Sequence, residues 1–136
     1  MKHGKEDNLE NEIANLCKEL YYISETDSPV EAVSFNVPAG KSSADYAAAI
    51  GKSKNEFFEE IPADIFFSRL TREESWHTET ERKRARQFAD LWRLMKEKLK
   101  DIKVFRFGKI RIEIFVIGRE KNSGRLVGIR TMSVET

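Results

Sequence analysis

The stretch Lys109-Ile110-Arg111-Ile112-Glu113-Ile114-Phe115-Val116-Ile117-Gly118 decides the fold. Ile110, Ile112, Ile114 and Val116 alternate with Arg111 and Glu113, which is the period of a strand with one buried face. Phe115 and Ile117 then make the second face apolar as well. The returning run repeats this pattern: Leu126, Met132 and Val134 share one parity, Val127 and Ile129 the other. Gly118-Arg119-Glu120-Lys121-Asn122-Ser123-Gly124 is rich in turn formers. Together these predict an antiparallel hairpin with a longer loop, Lys109–Ile117 against Arg125–Val134. A sheet that is apolar on both faces has to be covered on both. The second strand runs straight into Val134-Glu135-Thr136, so these last residues should project from a rigid strand end rather than fray.

Working outward, Ala85, Phe88, Leu91, Trp92, Met95 and Leu99 form the apolar stripe of a long helix. Thr78-Glu79-Thr80-Glu81 has the capping-box spacing that starts it, and Thr71-Arg72-Glu73-Glu74 has the same spacing, which predicts a short helical turn around Trp76. Val104 to Phe107 read as a short strand, as do Phe57, Phe58 and Ile61. Pro62 suits the start of a helical turn carrying Ile65, Phe66 and Phe67. Ser43 can cap a helix through Ile50 that Gly51 stops. Val33, Phe35 and Val37 alternate as a strand that Pro38-Ala39-Gly40 ends. Leu9, Ile13, Leu16, Leu20 and Ile23 follow helical steps, which predicts one amphipathic helix, Leu9 to Ile23, stopped by Ser24-Glu25-Thr26-Asp27-Ser28-Pro29. The order is then α-β-α-β-α-α-β-β-β, in a single domain over 1–136 with 1–7 disordered. The fold class is α+β: a three-layer α/β/α sandwich on a mixed, mostly antiparallel sheet.

The chain has 136 residues, 35% of them charged and 40% hydrophobic, the balance of a single globular domain. A net charge of +1 supplies no global pull toward nucleic acid or anionic lipid. Cys17 is the one cysteine, so an internal disulfide is excluded and a reducing compartment is expected. Its place beside an apolar stripe reads as a buried small hydrophobe. The N-terminus is no signal peptide, and no apolar run approaches the ~20 residues of a membrane span. A cytoplasmic monomer without a membrane partner is expected.

Catalytic patterns are absent: there is no phosphate-binding glycine loop and no nucleophile elbow. His3 and His77 are too few for a metal cluster. His77 lies near Glu74, Glu79 and Glu81, but a surface histidine at a helix start is the better reading than an acid–base pair. Arg82, Lys83, Arg84, Arg86, Arg93, Lys96, Lys98 and Lys100 crowd one helix. Glu79, Glu81, Asp90, Glu97 and Asp101 interleave with them, which favours a solvated face over a phosphate-binding one. No enzyme, no cofactor and no direct nucleic-acid partner are expected.

Three features exceed what packing requires: the acidic turn Ser24-Glu25-Thr26-Asp27, Trp76 in a polar connection, and the abrupt end at Thr136. They belong to a larger pattern. Ser24-Glu25 followed by Pro29, Phe66-Phe67-Ser68-Arg69 with Thr71 and Trp76, Val104 and Gly108, Val116-Ile117-Gly118, Leu126, Gly128-Ile129 and Val134-Glu135-Thr136 resemble the nuclease A inhibitor family over almost the whole chain. The resemblance implies a PR-1-like α/β/α fold and a protein that plugs the active site of a sugar-nonspecific, magnesium-dependent endonuclease. It implies that Glu25 engages a nuclease arginine, that Trp76 is an interface anchor, and that Thr136 reaches the nuclease's magnesium. Glu135 and Ser75 flank these positions and join the partner-binding set; Ser75 stands where family members can carry an acid. The alternative is a non-enzymatic interaction module of the same fold with a different partner.

Overall fold

The computed structural model describes residues 4–36, 40–52, 56 and 58–136. In chain order the elements are α1 (Gly4–Leu16), β1 (Tyr21–Ile23), β2 (Asp27–Pro29), β3 (Glu31–Phe35), α2 (Ser43–Ala49), β4 (Phe58–Ile61), α3 (Ala63–Leu70), α4 (Glu79–Lys98), β5 (Leu99–Phe107), β6 (Arg111–Glu120) and β7 (Leu126–Val134). The hairpin read from the sequence is β6–β7, with Val116 opposite Ile129 and Ile114 opposite Thr131. It is the centre of a five-stranded sheet ordered β3-β7-β6-β5-β4. Every neighbouring pair is antiparallel, so the expected mixed sheet is corrected. Short connections join β5 to β6 and β6 to β7, and a short connection permits only antiparallel pairing.

Both faces of the hairpin are covered, as its two apolar parities require. On one face Ile112, Ile114, Val116, Val127 and Ile129 pack with Leu9 and Ile13 of α1, Phe66 and Phe67 of α3, and Phe88, Leu91 and Met95 of α4. On the other, Phe115, Ile117 and Leu126 pack with Phe105, Phe107 and Tyr46 of α2. Among the described residues, three helices therefore share the face that the α4 stripe covers, and α2 lies opposite. At Gly128 a Cβ would stand 1.9 Å from the Val116 carbonyl oxygen, so the two central strands approach too closely there for any side chain.

The first helix is shorter than its pattern suggests. α1 ends at Leu16, and Glu19 turns the chain with φ 55. Leu20 still reaches the same core cluster, but from outside the helix. Tyr21, Tyr22 and Ile23 then favour a strand, being aromatic and β-branched, and pair with Pro29, Ser28 and Asp27. The turn read as a helix stop is the tip of this small hairpin, closed by the Ser24 N–H donating to the Thr26 carbonyl at 2.9 Å. Gly4 to Asp7, within the stretch expected to be disordered, lie in the backbone of α1.

Other boundaries shift for local reasons. The capping box of α2 is built on Ser42 and Asp45, one residue before Ser43. Thr78 and Glu81 cap α4 as expected. Thr71 starts no helix: it is the C-cap of α3, and its hydroxyl donates to the Phe67 carbonyl at 2.8 Å. Leu99 belongs to β5 rather than to α4. The β6 strand continues through Gly118, Arg119 and Glu120, and the loop is 121–125. Ile110, grouped with the buried parity in the sequence, is 58% exposed because it precedes β6 in a bend after Gly108. Val37, Pro38, Ala39, Phe57 and His3 lie outside the described residues.

Candidate functional site

The tip of the β1–β2 hairpin is tied to the end of β7, so two segments 111 residues apart form one surface. The Val134 N–H donates to the Ser24 hydroxyl at 3.0 Å, and the Glu25 N–H donates to the Val134 carbonyl at 3.3 Å. The Glu25 carboxylate accepts the Thr136 N–H at 2.8 Å and the Thr136 hydroxyl at 2.9 Å. Deeper in, the Thr131 hydroxyl donates to the Pro29 carbonyl at 3.1 Å and so fastens the second hairpin strand. Thr131 and Ser133 are polar residues on the buried parity of β7, and each has a hydrogen-bond acceptor there. These bonds tie Thr136 to the β1–β2 turn, where the sequence leads one to expect a strand end that does not fray.

Glu135 points to the chain's own arginine. Its two carboxylate oxygens each accept from Arg106 Nη2 at 2.7 Å, and one also accepts from the Ser133 hydroxyl at 2.8 Å. The Arg106 bond holds the Glu135 carboxyl below its ordinary value of 4.5, with Ser133 adding to the effect. A carboxyl lowered on folding contributes stability that is complete above about pH 4.5 and is lost as the pH falls through its folded value. The Glu135 side chain is nearly half exposed, so solvent keeps the contribution small. Wild type and Glu135→Gln should therefore differ slightly in urea-unfolding stability at about pH 7, and the gap should shrink as the pH is taken down through and below the ordinary carboxyl value. A gap that persists in acid would assign the difference to shape rather than charge.

Ser75 and Trp76 stand on the separate connection between α3 and α4. Trp76 is 75% exposed, the most exposed large hydrophobic side chain among the described residues. The backbone beneath it is held locally. The Glu74 N–H donates to His77 Nδ1 at 3.0 Å, and the His77 N–H returns to the Glu74 carbonyl at 3.1 Å. Arg82 of α4 donates to the Ser75 carbonyl at 2.7 Å. The His77 ring lies edge to face with Trp76 at 5.8 Å. His77 is thus a turn-closing residue, which agrees with the surface reading over the acid–base one. No direct bond joins this connection to Glu25, but His77 and Ile23, two residues from Glu25, line one cavity.

The family model described as "Nuclease A inhibitor-like protein" matches residues 7–136. The chain belongs to the nuclease A inhibitor-like family. No individual curated protein matches it. A nuclease is therefore the general class of protein partner that nuclease A inhibitor-like membership implies. Among the described residues no group of three His, Cys, Asp or Glu side chains could hold a metal. No described helix is long and apolar enough to cross a membrane. Burial pushes the Cys17 thiol up to about 12, which makes it an inert packing residue rather than a nucleophile.

Ile23, Ile110 and Arg106 also border this surface, and no motif in the chain marks them. Ile23 is 43% exposed beside the Glu25 turn, and the Ile110 carbonyl accepts the Glu135 N–H at 2.9 Å. The helical spacing of Ile23 and the strand parity of Ile110 both point to the core, and the structure places neither there. Arg106 did carry a signal: it shares its parity with buried Val104, and a lone arginine on an apolar face needs a partner.

Proposed function

We propose that this protein binds and blocks the active site of a sugar-nonspecific, magnesium-dependent endonuclease, and that it catalyses no reaction itself. The observation that carries the reading is the bond between Glu25 and Thr136, which sets a carboxylate and a hydroxyl side by side on one exposed surface. Oxygen groups of these two kinds can stand in for phosphodiester oxygens at a metal ion and at a guanidinium. A magnesium ion takes hard oxygen ligands at ~2.1 Å, and the Thr136 hydroxyl is such a ligand. A carboxylate offers about four lone-pair positions, so Glu25 can hold Thr136 and still meet a nuclease arginine in place of a phosphate. Trp76, with Ser75 beside it, supplies apolar area away from the metal. In this reading Ile23 and Ile110 border the same contact. We read the helices on both faces of the sheet as the PR-1-like three-layer arrangement, and the protein as a cytoplasmic monomer.

The test is DNA degradation by a panel of magnesium-dependent nonspecific endonucleases, with the protein added in increasing amounts. Stoichiometric protection against at least one of them is expected. Deleting Thr136 should weaken that protection and leave the melting curve nearly unchanged. No protection across the panel would remove the reading. Equal potency without Thr136 would take the end of β7 out of the active site.

A further inference from the structure

Arg106 lies beneath the proposed contact and cannot form much of it. Its side chain is only 14% exposed, on the sheet face that Val104 shares with the apolar core. Its Nη2 is occupied by Glu135, and its Nε lies 3.3 Å from a Glu59 oxygen on β4. A guanidinium placed against apolar packing has to be paired, and Glu135 is the nearer of its two carboxylates. Glu135 is held in turn by Ser133, which is 1% exposed, and by its own N–H on the Ile110 carbonyl. Thr136 follows directly and is gripped on its other side by Glu25. Three elements therefore hold the last two residues: the β1–β2 turn, strand β5 and the bend before β6.

We propose that Arg106 is a positioning residue for the partner-binding surface, and that Glu135 acts through Arg106 rather than by touching the partner. This deepens the inhibitor reading and rests on it. The pair fixes the direction in which Thr136 leaves β7, so the ordering of these residues occurs on folding and is not repeated on binding. Glu135, the exposed side of the pair at 45%, is open to solvent screening, which keeps the pair's contribution to global stability modest. The pair's effect is local: without it, the side chain of Glu135 keeps the Ser133 bond but loses its charged anchor, and the last two residues rest on the Ile110 carbonyl and the Glu25 bonds.

The experiment compares wild type, Arg106→Lys, Arg106→Met, Glu135→Gln and the Arg106→Met/Glu135→Gln double variant. Inhibition is titrated against an endonuclease the wild type inhibits, and the backbone amide of Thr136 is followed by NMR relaxation in the free proteins. Arg106→Met and Glu135→Gln should each weaken inhibition about tenfold or more. The double variant should be no weaker than the weaker single one, because the two residues form one unit. The Thr136 amide should become mobile in each, and Arg106→Lys should recover part of both effects. Three results would each overturn the proposal: additive losses in the double variant, which would place Glu135 in direct contact with the partner; full potency of folded Arg106→Met; and a Thr136 amide as rigid in the variants as in wild type. If Arg106→Met fails to fold, the exposed Glu135→Gln change decides the matter through the same amide. A wild type that protects DNA from no enzyme removes the inhibitor reading and this inference with it, whereas wild-type protection with unaltered variants removes the inference alone.

Discussion

Trp76→Ala should weaken inhibition of the partner nuclease by about 2 kcal/mol or more, roughly thirtyfold, while changing folding stability by no more than about 0.5 kcal/mol. The two halves of this result come from one observation. A side chain that is 75% exposed leaves little cavity when truncated, so the core does not register its loss. The same exposure leaves most of the indole area free to be buried by a partner. Tryptophan suits that role because it has only two side-chain torsions to immobilise. The backbone carrying it is already ordered by the His77 ring and by Arg82 on the Ser75 carbonyl, so the cost of ordering on binding is reduced further. Inhibition constants and thermal melts of the two proteins check it. A stability loss of several kcal/mol would make Trp76 a packing residue, and unchanged inhibition would remove it from the interface.

Phe67→Ala should lower folding stability by about 3–5 kcal/mol. That is a large share of the ~5–15 kcal/mol typical of a domain. Phe67 is fully buried and stacks on Trp92 of α4 with centroids 4.4 Å apart. It meets Phe66 edge to face at 5.3 Å, and Phe66 stacks on Tyr22 of β1 at 6.1 Å. This aromatic row joins α4, α3 and the hairpin whose tip carries Glu25. Truncating its middle leaves a void between rigid rings that cannot close by simple rotation. Urea unfolding followed by tryptophan fluorescence reads the effect. A loss below about 1 kcal/mol would mean that the neighbouring helices collapse into the space. Because Tyr22 ends the row, the variant should also release the Glu25–Thr136 bonds before the sheet unfolds, visible as faster amide exchange at Thr136.

Residue pattern alone determined much of this protein. The two apolar parities of Lys109 to Val134 are enough to require an antiparallel pair covered on both sides, because side chains alternate strictly along a strand and each face has to leave water. The α4 stripe and its Thr78–Glu81 cap are equally local: spacing sets them, and spacing is visible in the chain. The proposed partner-binding set around Glu25, Trp76 and Thr136 comes from resemblance, and no spacing in the chain displays it. The first helix shows where periodicity ends. Leu20 and Ile23 stand at helical steps from Leu16, yet Glu19 turns the chain and Ile23 pairs with Asp27. A buried position constrains where a side chain ends up, not the backbone that brings it there. Tertiary structure alone decided that Ser24 and Glu25 meet Val134 and Thr136, that Glu135 belongs to Arg106, and that Ile110 faces solvent. Each is a contact between residues far apart in the chain or an orientation set at a bend, and neither leaves a period for the sequence to display.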